Sequence, residues 1–187
     1  MYRWESWIDV RKGEQVKQAL YPYQEESVKA INNEWQKGIK KTLLILPTGC
    51  GKTSCFSEII DQHHKRGQRV LMLAHREELL TQAMQRVYDF TGYLLELDKA
   101  EKLADTSADI VMASVQTLRT KRLERYPKDH FDLIVVDEAH HASADSYKNI
   151  LSYFDSKVLG VTATPDRADE KSLGDVFDSV AYQYSLI

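Results

Sequence analysis

The sequence predicts an α/β fold, a mostly parallel sheet with helices on both faces, on three observations. Short apolar runs alternate with amphipathic stretches along the middle of the 187-residue chain. Several runs, Val70–Ala74 and Leu133–Val136 among them, lack polar alternation, the mark of strands covered on both faces. The βαβ rhythm and its short punctuation fit a doubly wound sheet, whose ligands bind beyond the carboxyl ends of the strands.

The elements follow in order. Thr42–Leu46 is the first strand, then a helix runs to about Lys65 and breaks at Gly67. Val70–Ala74 is the next strand, and a helix over Glu77–Phe90 carries Leu79, Leu80, Ala83 and Val87 at helical spacing. Gly92–Leu97, Asp109–Val115, Leu133–Val136 and Val158–Val161 read as the remaining strands. Residues 1–19, with Trp4 and Trp7, stand outside this rhythm as a lead-in segment, and residues 20–187 form one domain. Two polar segments, Ala100–Ser107 and Arg119–Lys128, read as solvated helices and loops, and His63 and His64 as residues of a solvated helix face.

Composition bounds the partners. Apolar residues make up 43% and charged residues 28%, as in a globular protein, and the net charge is −3. Nucleic-acid contacts must therefore come from local groups and not from a basic overall field. Cys50 and Cys55 have neither disulfide-framework nor zinc spacing, and the N-terminus lacks an apolar signal core, so a cytoplasmic setting without a membrane is expected.

Chemistry enters at Pro47, Thr48, Gly49, Cys50, Gly51, Lys52 and Thr53, which follow an apolar strand and open a helix. Glycines let the backbone curl so that successive N–H groups and the helix N-terminus converge on phosphate oxygens. Lys52 is expected to reach the β- and γ-phosphates of ATP, and the Thr53 hydroxyl to ligate Mg²⁺. The Walker pattern begins with glycine, and that position here is Leu46.

A second element, Leu133-Ile-Val-Val-Asp-Glu-Ala-His-His141, carries two carboxylates past a buried strand. Asp137 is expected to hold Mg²⁺ through water, and Glu138 to orient and deprotonate the attacking water. A pair of acids capping the next helix is the structural alternative. Adjacent histidines point to different sides and no third ligand is evident, so His140 and His141 do not read as a metal site.

Taken in order, these motifs resemble the N-terminal RecA-like domain of superfamily 2 DEAD/DEAH-type helicases. The likeness is greatest to the branch holding the type III restriction enzyme Res subunits, and it runs from about Leu20 to the C-terminus. Leu20-Tyr-Pro-Tyr-Gln24 resembles the adenine-recognition element, which implies that Gln24 reads the base edge, with Tyr21 where the family often has Arg. Asp137-Glu-Ala-His140 matches the DEAH box, in which His140 links the nucleotide site to the next motif. That motif, Thr162-Ala-Thr164-Pro, implies Thr162 and Thr164 as coupling hydroxyls. Leu73-Ala-His-Arg-Glu-Glu-Leu79 and Ser114-Val-Gln-Thr-Leu118 resemble strand-end motifs that imply phosphate contacts from Arg76, Gln116 and Thr117.

The resemblance implies an ATP-dependent helicase or translocase that hydrolyses ATP to ADP and phosphate. It also implies a second RecA-like domain bearing an arginine finger, and a nuclease or methylase subunit as a possible companion. The residues leave DNA and RNA open, and the kind of relatives resembled favours DNA. This chain alone is expected to bind nucleotide with Mg²⁺ and hydrolyse it slowly. Two rival classes are a small-molecule P-loop kinase, which would need an arginine-bearing lid, and a nucleic-acid or partner-docking module without catalysis.

Overall fold

The computed structural model describes residues 18–99, 102–142, 144–163 and 165–184. Residues 1–17 of the lead-in segment and Thr164 lie outside the described residues. The strands are β1 (Lys41–Ile45), β2 (Val70–Ala74), β3 (Glu96–Asp98), β4 (Ile110–Ser114), β5 (Leu133–Asp137), β6 (Lys157–Thr162) and β7 (Ser179–Gln183). They form one sheet in the order β3-β4-β2-β5-β6-β1-β7, and every neighbouring pair is parallel. The helices are α1 (Pro22–Gln36), α2 (Lys52–Lys65), α3 (Leu80–Thr91), α4 (Thr120–Leu123), α5 (Asp145–Tyr153) and α6 (Arg167–Gly174).

The unalternated apolar runs have a simple cause. Along β5, Leu133 and Val135 pack with α1–α3 through Ile31, Phe56, Ile60 and Val87, whereas Ile134 and Val136 pack with Tyr147, Ile150 and Leu151 of α5. Strand β5 therefore buries both of its faces, as do β2 and β4. Helix α1 starts where Pro22 fixes the first turn and the Gln24 side chain accepts the Tyr21 N–H at 2.9 Å. Helix α3 ends at Gly92, whose φ of +75° is the left-handed C-cap conformation.

Four expectations are corrected. The helix expected from Glu77 begins as a 3-10 turn, Glu77–Leu79, and becomes α-helical at Leu80; Leu79 points outward, while Leu80, Ala83, Val87 and Phe90 are buried. The strand expected over Gly92–Leu97 shrinks to Glu96–Asp98, because Gly92 is spent on ending α3. His63 is 1% exposed, not solvated, with its ring edge-on to Trp35 at 5.3 Å and its Nδ1 2.9 Å from the Ile59 carbonyl. The segment Arg119–Lys128 is anchored. Arg122 and Arg125 converge on the fully buried Asp98 at 2.7 and 3.7 Å, and the Tyr126 hydroxyl donates to the same carboxylate at 3.3 Å. Among the described residues no helix is long and apolar enough to cross a membrane.

Candidate functional site

The phosphate-loop residues sit where β1 passes into α2. Gly49 and Gly51 have φ of +85° and +73°, so the two left-handed turns fall on the residues that adopt them without a Cβ penalty. Leu46, at the place of the pattern's first glycine, keeps negative φ, is fully buried, and donates its N–H to the Thr162 carbonyl at 3.1 Å. A side chain is tolerated there because β1 is still a strand-like edge at that point, and the turning begins two residues later. Lys52 opens α2, and its Nζ donates to the Leu46 carbonyl at 3.4 Å, folded back along the loop.

Beneath the loop lies α1. The Tyr23 hydroxyl and the Gln24 amide both donate to the Cys50 carbonyl, at 3.0 and 3.2 Å. Gln24 is 3% exposed, with its oxygen held by Tyr21 N–H and its nitrogen by the loop, so it faces the loop backbone instead of open solvent. The Tyr23 ring stacks on Tyr184 at 4.9 Å and lies nearly parallel to Tyr21, which is 61% exposed beside it.

The acidic pair sits at the end of β5, one strand away from β1 across β6. Asp137 pairs in register with Val161, and its Oδ1 accepts the Glu138 N–H at 2.9 Å. Burial, then the charge of Glu138, raises the Asp137 pKa above the usual carboxylate range, while the Glu138 N–H and Lys52 oppose that rise. Glu138 is the only non-glycine residue with positive φ among those described, at φ +50° and ψ +54°. Such a conformation costs about 1 kcal/mol and aims the side chain away from the strand line. His140 follows in a 3-10 turn, with Nδ1 3.2 Å from the Thr162 hydroxyl and 3.4 Å from Glu138 Oε2.

The remaining sequence-read residues share this edge. Arg76 and Gln116 are exposed just past β2 and β4, which are tied beyond the ladder by Val115 N–H donating to the Ala74 carbonyl at 3.0 Å. Thr117 is half-buried, and its hydroxyl accepts from Ser114 at 2.8 Å. A cleft of about 390 Å³ opens between the ends of β2 and β5, lined by Arg76, Glu78, Leu79, Asp137 and Glu138 together with His75, to which the sequence reading gave no role, and His141, which it weighed only as a metal ligand and set aside. No group of three or more His, Cys, Asp or Glu residues suited to a metal occurs among the described residues.

A parallel sheet with a glycine-turned loop and an acidic strand end on one edge defines a RecA-like domain of the superfamily 2 helicase type. The profile of the family described as "Type III restriction enzyme, res subunit" matches residues 17–167, and the chain belongs to that family. It is 35% identical over 185 residues to "Putative ATP-dependent helicase IRC3" of Saccharomyces cerevisiae, covering 90% of this chain and 27% of that protein. It is 30% identical over 153 residues to "DNA 3'-5' translocase XPB2" of Sulfurisphaera tokodaii, covering 81% of this chain and 32% of the relative. The chain thus spans about a third or less of the length of these curated relatives. In fold it is similar to the SWI2/SNF2 ATPase core of Sulfolobus solfataricus, solved in complex with dsDNA. That match has a TM-score of 0.69 and 20% identity, over 88% of this chain and 36% of that one.

Proposed function

We propose that this chain is the ATP-binding half of an ATP-dependent nucleic-acid helicase or translocase, with DNA as the nucleic acid. It hydrolyses ATP to ADP and phosphate once a second RecA-like domain completes the cleft. The observation that carries the reading is the convergence of two sequence-distant elements on one sheet edge. The loop Gly49–Thr53 and the pair Asp137–Glu138 flank β6, with Lys52 close enough to influence the Asp137 carboxyl. In this reading the backbone N–H groups of residues 48–53 and the N-terminus of α2 cradle the phosphates, and Lys52 swings from the Leu46 carbonyl to the β- and γ-phosphates.

The donor set fits Mg²⁺. Asp137 and the Thr53 hydroxyl offer hard oxygen ligands beside the expected phosphates, and a divalent cation would relieve the charge crowding between Asp137 and Glu138. Bound there, the metal supplies charge neutralisation on the phosphoryl oxygens. Glu138 takes the proton of the attacking water, and His140 reports the state of the site to Thr162 and, beyond it, to Thr164. Gln24 meets the adenine edge with the amide valences that Tyr21 and Cys50 leave over. Arg76, Gln116 and Thr117 hold the phosphates of one strand without reading its sequence. In this reading residues 1–19 lead into a single RecA-like domain at 20–187, and the protein works in the cytoplasm, with a nuclease or methylase subunit as a possible partner.

The test uses the full-length protein that carries this chain. Lys52→Ala is expected to weaken hydrolysis by about a hundredfold or more, as loss of one preorganised donor does. Glu138→Gln is expected to leave nucleotide affinity within about twofold while cutting hydrolysis by about 10²–10⁴. Wild-type turnover in both variants would refute the catalytic assignment.

A further inference from the structure

Four aromatic rings form a row across the cleft. Tyr147 of α5 lies 6.3 Å from His75 with 9° between planes, and His75 lies 4.1 Å from His141 with 16° between planes. His141 in turn lies 4.1 Å from His140, tilted by 45°. One end of the row is fixed, since Tyr147 is fully buried. The other end reaches the nucleotide side, where His140 sits 3.2 Å from the Thr162 hydroxyl and 3.4 Å from Glu138 Oε2.

The row spans a gap in the backbone ladder. Strands β2 and β5 stay in register up to Leu73 and Val136, whereas Ala74 continues its pairing only with Ser114, and Asp137 only with Val161. Past that point the two strand ends belong to different halves of the sheet, and the cleft opens between them. His75 and His141 line that cleft from opposite strand ends and meet face to face. Neither ring is buried, so the pair is not core packing. His75 is adjacent in the chain to the exposed Arg76. His141 closes the three-residue 3-10 turn that begins directly after Glu138, whose left-handed backbone sets where its carboxylate points.

We infer that His75 and His141 are positioning residues whose stacked rings couple occupation of the Arg76 loop by nucleic acid to the orientation of Glu138. The inference rests on the proposed function and deepens it: the strand-end loop and the acidic turn move as one body because the stack joins them where hydrogen bonding stops. Arg76 shifts when it engages a phosphate, the His75 ring carries His141, and the turn re-aims Glu138.

The test is steady-state ATP hydrolysis by the full-length protein with and without a DNA oligonucleotide, alongside DNA affinity by fluorescence anisotropy. His75→Ala is expected to keep the DNA-free rate and the DNA Kd within about twofold, because the half-buried ring lies outside the core clusters, and to lose about fivefold or more of the stimulation. His75→Phe keeps a ring to stack, retains the fold and restores stimulation to within about twofold, which a role carried by the histidine's hydrogen bonds would not allow. His75→Ala stimulated like wild type overturns the coupling. So does His75→Phe as defective as His75→Ala, or a loss of stimulation traced wholly to lost DNA affinity. A wild-type protein that DNA does not stimulate overturns the proposed function itself, and the coupling falls with it.

Discussion

Gly51 and Gln24 form a pair whose coupling energy follows from the geometry. Gly51 caps α2 at φ +73° and ψ +39°, and a Cβ placed on it would lie 2.2 Å from Gln24 Nε2. A flexible amide usually yields to such a contact, but this one is 3% exposed and held at both ends, by the Tyr21 N–H and by the Cys50 carbonyl. Gly51→Ala therefore carries a left-handed backbone cost of about 1 kcal/mol, and the amide's displacement adds about 2 kcal/mol for two broken hydrogen bonds. Reduced freedom of the unfolded chain returns about 0.5 kcal/mol. In a Gln24→Ala background the clash is gone, and Gly51→Ala should cost only about 0.5 kcal/mol, the left-handed backbone cost less the unfolded-chain return. Urea denaturation of the four proteins measures the cycle, with an expected coupling of about 2 kcal/mol in favour of the double variant. Additivity to within about 0.5 kcal/mol would show that Gln24 is not fastened under the loop.

Two further outcomes follow from buried polar groups. Asp98→Asn leaves the guanidinium groups of Arg122 and Arg125 facing a neutral amide, and the chain should lose about 3 kcal/mol in urea melts; a change below about 0.5 kcal/mol would mean that the pairing is solvated after all. His63 is held below its ordinary pKa of 6.5, chiefly by burial, so the unfolded chain takes up a proton that the folded chain refuses. Stability is complete above that pH and falls as the pH drops below it, by at most about 1.4 kcal/mol per unit for this one group. His130 and His141 are depressed in the same direction, so the readout is the difference between His63→Phe and wild type. The variant should show the shallower loss between neutral and mildly acidic pH, and equal losses would exclude His63 as the source.

What was legible in the sequence was whatever a local pattern dictates. Val70–Ala74 needed no correction because a strand buried on both faces has no polar interruption to blur it. The phosphate loop and the acidic strand end were readable because each is a contiguous run with an apolar strand in front. Strand β7 escaped notice because it is an edge strand with no fully buried residue, and its apolar run is only the three residues Val180–Tyr182. His63 was misread because its helix is buried on more than one side: Trp35 of α1 covers a position that the sequence pattern leaves polar. The Asp98–Arg122–Arg125 cluster and the His75–His141 stack join residues 24 or more positions apart, and no local period reports such a meeting.

The sheet order brings together motifs that the chain keeps apart. In the chain, Leu46, His140 and Thr162 belong to three separate motifs; in the sheet, β6 lies between β1 and β5. Thr162, 1% exposed at the end of β6, therefore serves both neighbours. Its carbonyl accepts the Leu46 N–H at the root of the phosphate loop, and its hydroxyl lies 3.2 Å from His140 in the acidic turn. A buried residue with backbone on one partner and side chain on the other cannot follow one without disturbing the other, because an unpaired group there costs about 1–3 kcal/mol. The loss of the Walker pattern's first glycine fits the same logic. Leu46 is not asked to turn; it is asked to stay in line beside β6, and a large buried side chain holds that line better than glycine does.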